Sequence, residues 1–268
     1  MTLSRGARYV LASLMGVGLA FIYIPLTVVV INSFNSSRTF SWPPSEFTTK
    51  WWAKALENTG VREALRWSIL AGVSATVIAL LLGTALAFAV SRYKFFGRDT
   101  ISLLVVLPIS LPGVVTGIAL NNAFTKGAGM STGLLTVVIG HATFCIVIVY
   151  NNAFARLKRM GSSLQEASMD LGANGITTFR LITLPNLASA LFAGGLLAFG
   201  LSFDEIVVTT FTAGPGIQTL PIWIYNNLFR PNQAPIVNVV AAILVLFSIL
   251  PIYLSQRLSQ DNATGGRL

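Results

Sequence analysis

Charge is scarce in this 268-residue chain. Only 10% of its residues are charged, where an ordinary soluble domain has about a quarter. Apolar residues make up 54%, more than a soluble chain of this size could cover, so lipid must be the solvent for most of it. Acids are scarcer still, nine against 18 lysines and arginines. In a soluble protein the net charge of +9 would suggest nucleic acid. In a lipid-embedded chain it belongs instead to basic residues that set orientation and meet anionic headgroups, so no nucleic-acid partner is expected. The single cysteine, Cys145, excludes an internal disulfide. The single histidine, His141, lies inside an apolar run, which leaves no Ser/His/Asp constellation for nucleophilic catalysis. His141 and Cys145 are one helical turn apart, but two ligands make no complete metal site, and a packed helix face is the stronger reading. No G-x-x-x-x-G-K-[ST] occurs, so the chain carries no phosphate cradle.

Long apolar runs, by contrast, are abundant. Six can cross a bilayer: Tyr9–Ile31, Ser68–Val90, Ile101–Asn121, Gly133–Phe154, Leu187–Phe211 and Ile236–Leu254. Each has about 20 residues, and at about 1.5 Å per residue that covers a hydrocarbon core of about 30 Å. The first run is longer than a signal-peptide core and is followed by Asn32-Ser33-Phe34-Asn35, so it is expected to stay as an anchor. Basic residues favour one side. Arg92, Lys94 and Arg98 follow the second span, whereas the loop after the third carries only Lys126. That bias places both termini in the cytoplasm.

The first outer loop, residues 32–67, holds Trp42-Pro43-Pro44 and Trp51-Trp52, and its end reads as an amphipathic helix from Trp51 to Arg66 at the membrane interface. Span two is crowded with small residues (Gly72, Ala75, Ala79, Gly83), which allow close helix approach. Pro108 and Pro112 are expected to kink or break span three near Gly113.

The polar stretch Glu166–Pro185 interrupts this apolar chain. Ser163-x-x-Glu166 fits a capping box. Leu164, Ala167 or Ser168, and Leu171 then share one helical face, and Glu166 and Asp170 share another. Gly172 and Gly175 are expected to end and turn this helix. A second short helix from Thr177 to Ile182 is expected to stop where Pro185 forces Leu184 out of the α region.

This stretch resembles the EAA loop of ABC-importer permeases: E-A-A, three residues, G, nine residues, I-x-L-P. Here it reads Glu166-Ala167-Ser168, three residues, Gly172, nine residues, Ile182-Thr183-Leu184-Pro185. The one departure is Ser168, a small-for-small change. FNSS at Phe34–Ser37, LPxxLPGVVTG at Leu107–Gly117, GHATFC at Gly140–Cys145 and LSFDEIVVTTFTAGPG at Leu201–Gly216 are similar to polyamine-type permeases of the putrescine/spermidine kind. The resemblance implies an all-α, six-span type I permease occupying 1–268 as a single domain, with a coupling helix pair at about 156–186. It further implies a bacterial inner-membrane location, a second homologous permease subunit, an ABC ATPase dimer and a periplasmic binding protein. ATP and magnesium then belong to the ATPase, and this chain is not an enzyme and binds no cofactor. Glu166, Ala167, Ser168, Asp170, Gly172, Ile182, Leu184 and Pro185 are the implied ATPase-coupling residues.

Asp204 and Glu205 are the only Asp, Glu, Lys or Arg side chains within the six runs. An acid at mid-membrane costs about 2.5–3.5 kcal/mol on insertion scales, so the pair should face a water-filled path, the bundle interior or a partner. Carboxylates there would attract ammonium groups, which makes Asp204, Glu205 and the adjoining Phe203 candidates for a cation path, with Asp204 first. The plainer alternative is that the acids hold an interface or cap the Thr209-Thr210 region. Two other functions compete with polyamine import: an ABC permease for another small solute, such as ferric iron or an amino-acid-like compound, and a secondary cation transporter, which would leave the EAA pattern without a role.

Overall fold

The structure, a computed structural model, describes residues 4–38, 42–161 and 163–247. They are almost entirely helical, with an isolated bridge between Asn35 and Phe47 as their one strand-like feature. In order come α1 (Arg5–Asn32), α2 (Lys50–Glu57), α3 (Thr59–Arg92), α4 (Arg98–Ser110) and α5 (Gly113–Asn122). After them run α6 (Leu134–Arg159), α7 (Ser163–Asp170), α8 (Gly175–Thr178), α9 (Leu184–Phe203), α10 (Val207–Thr212) and α11 (Leu220–Asn227). A last apolar helix, α12, covers Ala234–Phe247. Four helices among the described residues are long and apolar enough to cross a membrane, or five if α4 with Gly113–Gly127 is one broken span. The sixth expected span begins in α12, and its end lies outside the described residues.

The described residues divide into two compact units, one built on Glu63–Trp223 and the other on the chain before it together with residues 224–247. In the second of these, α1 is exposed almost throughout. The expected helix from Trp51 to Arg66 is split. Asn58 leaves the helical region with ψ 114, and its side-chain oxygen accepts from the Val61 amide at 3.1 Å. One residue thus closes α2 and caps α3, which asparagine does well because its short amide competes for backbone hydrogen bonds. Trp51 is buried and donates its indole N–H to the Asn35 carbonyl at 3.0 Å, while Phe34 stacks on Trp52.

In the larger unit α3, α6 and α9 pack around a core of Ala75, Ala79, Phe144, Cys145, Val149 and Ala198, continued by Ala87, Val90, Tyr150, Ala153, Leu157 and Leu187. The small residues of α3 make this possible. A Cβ on Gly83 would sit 3.0 Å from the Ile146 carbonyl oxygen and 3.1 Å from the Tyr150 nitrogen of α6. Lipid offers no hydrophobic reward for helix association, so such close backbone approach supplies much of the cohesion.

One sequence expectation about the spans holds and two change. Span three breaks as Pro108 and Pro112 suggest: α4 and α5 meet at 106° across Leu111-Pro112. Span five does not run to Phe211, because α9 ends at Phe203 and α10 starts at Val207. Its beginning is corrected in the other direction. Leu184 stays helical at φ −63, ψ −44, and Gly175–Phe203 forms one continuous 29-residue helix. A π-helical turn at Phe179–Thr183 absorbs the proline: the Leu184 amide bonds to the Phe179 carbonyl, five residues back. The widened turn makes room for the Pro185 ring, and Asn186 donates its side-chain amide to the Ile182 carbonyl at 2.7 Å.

Candidate functional site

Two places gather the residues singled out by sequence. The first is the polar element between α6 and α9. Helix α7 ends in a Schellman motif: the Gly172 amide bonds to the Met169 carbonyl, and the Ala173 amide to the Ser168 carbonyl. Gly172 has φ +87, where a side chain would be strained. Gly175 has no such role. It opens α8, and Asn174 is the cap, its side chain accepting from the Thr177 amide at 2.8 Å. Ser163 is already the first residue of α7, one place later than the expected capping box requires; the residue before it lies outside the described set.

Two side-chain hydrogen bonds hold α7 against the start of the long helix. Gln165 donates to the Thr183 hydroxyl at 2.8 Å, and Ser168 and Thr178 share a bond of 3.0 Å. The serine that departs from the family pattern therefore has a bonding role that alanine could not fill. Beneath, Arg156 donates to the Asn186 carbonyl at 3.0 Å. Arg92, at the end of α3, reaches the Leu157 and Met160 carbonyls at 3.4 and 3.2 Å. Gln165 and Ser168 thus fasten α7 to the start of the long helix, and Arg156 and Arg92 tie the neighbouring ends of α6, α9 and α3 together, while the outer surface of the element is exposed. Glu166, Ala167, Asp170 and Gly172 are exposed, as are Leu171 at 90% and Ile176 at 81%. Ile182 is half-buried, and Leu184 and Pro185 lie exposed on the helix flank. A cleft of about 960 Å³ separates the element from α3, with Phe88, Arg92, Glu166, Met169 and Phe179 among its walls.

The second place is the break between α9 and α10. Asp204 is the C-cap of α9, and its side chain is exposed. Glu205 is half-buried, and its Oε1 accepts from the Val208 amide at 2.8 Å, capping α10. Phe203, half-buried, packs on Phe199 with ring centroids 5.6 Å apart. The acids therefore do not sit within a continuous helix. They occupy a turn, where the desolvation cost of a mid-helix acid is relieved by a backbone donor and an open side. The break in span three adjoins it, since a Cβ on Gly113 would sit 3.3 Å from Val207. Helix α5 is bound to α10 by the Asn121 amide, which donates to the Phe211 carbonyl at 2.6 Å. Irregular backbone at membrane depth is tolerated where it is enclosed by protein or lines a water-filled cavity, and paired broken helices are a common way to build a transport path.

The profile of the family described as binding-protein-dependent transport system inner membrane component matches residues 79–263. The chain belongs to that family. The spermidine/putrescine transport system permease protein PotC of Escherichia coli (strain K12) is 34% identical over 92% of this chain and 92% of that one. The putrescine transport system permease protein PotI of the same strain is 33% identical over 85% and 83%. Among solved structures, a bacterial ABC transporter involved in the import of alginate superposes with a TM-score of 0.72 at 18% identity, covering 97% of this chain and 99% of that one. The permease is thus a multi-pass protein of the inner membrane, with the fold of an ABC-transporter membrane subunit.

Sequence reading missed one feature of this permease. His141 is fully buried in α6, and its ring nitrogens lie 2.7 Å from the Ser202 hydroxyl and 2.8 Å from that of Thr209, one on each side of the acid-bearing break. Cys145, one turn on, donates to the Ala198 carbonyl at 3.3 Å. The signal was present as a lone histidine facing Ser and Thr seven residues apart, but nothing in the sequence pairs α6 with those two positions.

Proposed function

We propose that this permease forms the translocation path of an ATP-driven importer for polyamines, putrescine and spermidine. The observation that carries the reading is the exposed outer face of the α7–α8 element, with Leu171 and Ile176 beside Glu166 and Asp170. Two large apolar side chains left in water on a well-fastened element suit a docking surface, and the acids suit a basic partner. The proposed partner is an ABC ATPase dimer that binds ATP and magnesium, with hydrolysis confined to it. A second homologous permease completes the membrane path, and a periplasmic binding protein delivers cargo. Both termini lie in the cytoplasm, and 1–268 acts as one permease domain.

Cargo is argued from the acid turn. Putrescine and spermidine carry ammonium groups, and Asp204 presents an exposed carboxylate at a helix break, supported by Glu205 and Phe203. A second cargo has a specific relative behind it. The putative 2-aminoethylphosphonate transport system permease protein PhnV of Salmonella typhi is 29% identical over 86% of each chain. That compound also carries a primary ammonium group, so the acid turn suits either.

Affinity purification of the tagged permease should bring down an ATPase subunit, and vesicles of the purified complex should take up labelled putrescine only when ATP is supplied. Uptake that proceeds without ATP and stops with an ionophore would overturn the importer reading. Competition by 2-aminoethylphosphonate stronger than that by spermidine would reassign the cargo.

A further inference from the structure

We infer that His141 is a positioning residue for translocation, setting the geometry of the Asp204–Glu205 turn from the neighbouring helix. The inference rests on the reading of that turn as part of the cargo path. The hydrogen bonds determine how the ring is used. The Thr209 hydroxyl donates to the Glu205 carbonyl at 2.8 Å, so its oxygen is left to accept from Nε2–H of His141. Nδ1 then accepts from the Ser202 hydroxyl. One flat, rigid ring therefore bridges the last turn of α9 and the first turn of α10. Both links are made where the side chains are buried: His141 0%, Ser202 3% and Thr209 0% exposed.

The consequence reaches the acids through a short chain of bonds. Thr209 grips the backbone of Glu205, and the carboxylate of Glu205 caps Val208. Asp204 lies between Ser202 and Glu205, so its direction follows from where these two are held. No helical hydrogen bonding runs continuously across the break, and α10, six residues long, is too short to hold its own orientation. The histidine substitutes for the missing continuity. Thr136 helps from the same helix, donating to the Thr212 carbonyl at 2.7 Å, but it touches only α10. His141 alone among these contacts joins both sides of the break.

The test compares His141→Phe, which keeps the ring and removes both nitrogens, with His141→Gln, whose amide offers one acceptor and one donor. Asp204→Asn serves as the control on the path itself. Each is made in the complete transporter, reconstituted in vesicles with its binding protein and ATPase. Amide hydrogen exchange over 204–209 should quicken about tenfold in His141→Phe, with exchange over 164–171 unchanged, because only the break loosens. The KM for putrescine uptake should rise about tenfold at equal amounts of assembled complex and unchanged ATP hydrolysis, and His141→Gln should restore most of both. Unchanged exchange at 204–209 in His141→Phe overturns the inference, as does a glutamine variant no better than phenylalanine. If Asp204→Asn leaves uptake intact while exchange still quickens, the path reading of the acids fails and the positioning of the turn stands.

Discussion

Asp204 and Glu205 are neighbours in sequence but differ in what they can do. Glu205 has committed one carboxylate oxygen to the Val208 amide, whereas the Asp204 side chain is exposed at the helix end. Asp204 is therefore the better candidate to meet cargo and Glu205 to shape the turn. Asp204→Asn should lower putrescine uptake about tenfold, equivalent to about 1.4 kcal/mol of lost interaction, while the complex assembles normally. Uptake kinetics equal to those of the unaltered permease would remove Asp204 from the path. Residue-level chemistry was partly legible in the sequence: two acids in an apolar run stand out whatever the fold. Their division of labour was not, because it depends on a helix end that β-branched Ile206, Val207 and Val208 do not announce.

At the scale of elements, the α7–α8 pair shows how a local pattern and its fastening differ. Gly172 as the helix stop follows from spacing alone, and the structure has it, whereas the exposure of Leu171 and Ile176 is seen only in the structure. The proline stop does not hold, because a π turn lets Gly175–Phe203 run on as one rod. That continuity matters for the proposed coupling, since force applied at Ile176 would pass directly into α9 and its end at Phe203. Leu171→Asp with Ile176→Asp should abolish co-purification of the ATPase while the permease still inserts and folds. Retained co-purification would place the docking surface elsewhere. Gly172→Val, which forces a β-branched residue into the left-handed region at a cost of about 1–2 kcal/mol or more, should weaken ATP-dependent uptake and lower thermal stability of the purified complex. Unaltered melting in that variant would show that the Schellman turn is not needed in place.

For the whole molecule, the expectation concerns sidedness. Basic residues cluster beside α7, at the end of α6 as Arg156, Lys158 and Arg159, at the end of α3 as Arg92 and just beyond it as Lys94. Proposed cytoplasmic placement of that side puts the N-terminus there as well. A cysteine introduced at Ser4 should react with a membrane-impermeant maleimide only in inside-out vesicles. The native thiol gives little background because Cys145 is buried. Labelling of intact cells would invert the topology.

What the sequence determined by itself is the class of molecule and the pattern of its coupling loop. Scarce charge and long apolar runs require a membrane bundle, since lipid cannot satisfy an exposed backbone, and glycine and small-residue spacing are local properties that survive in any fold. Pro108 and Pro112 already marked the break in span three, whereas tertiary structure alone decided the break in span five and what holds it. The end of α9, the π turn before Pro185 and the bridging ring of His141 depend on side chains up to 68 residues apart. Whether the chain can break at Asp204 and still hold both ends depends on a neighbouring helix that brings His141 to Ser202 and Thr209. That neighbour is chosen by packing, and no local stretch of sequence contains it.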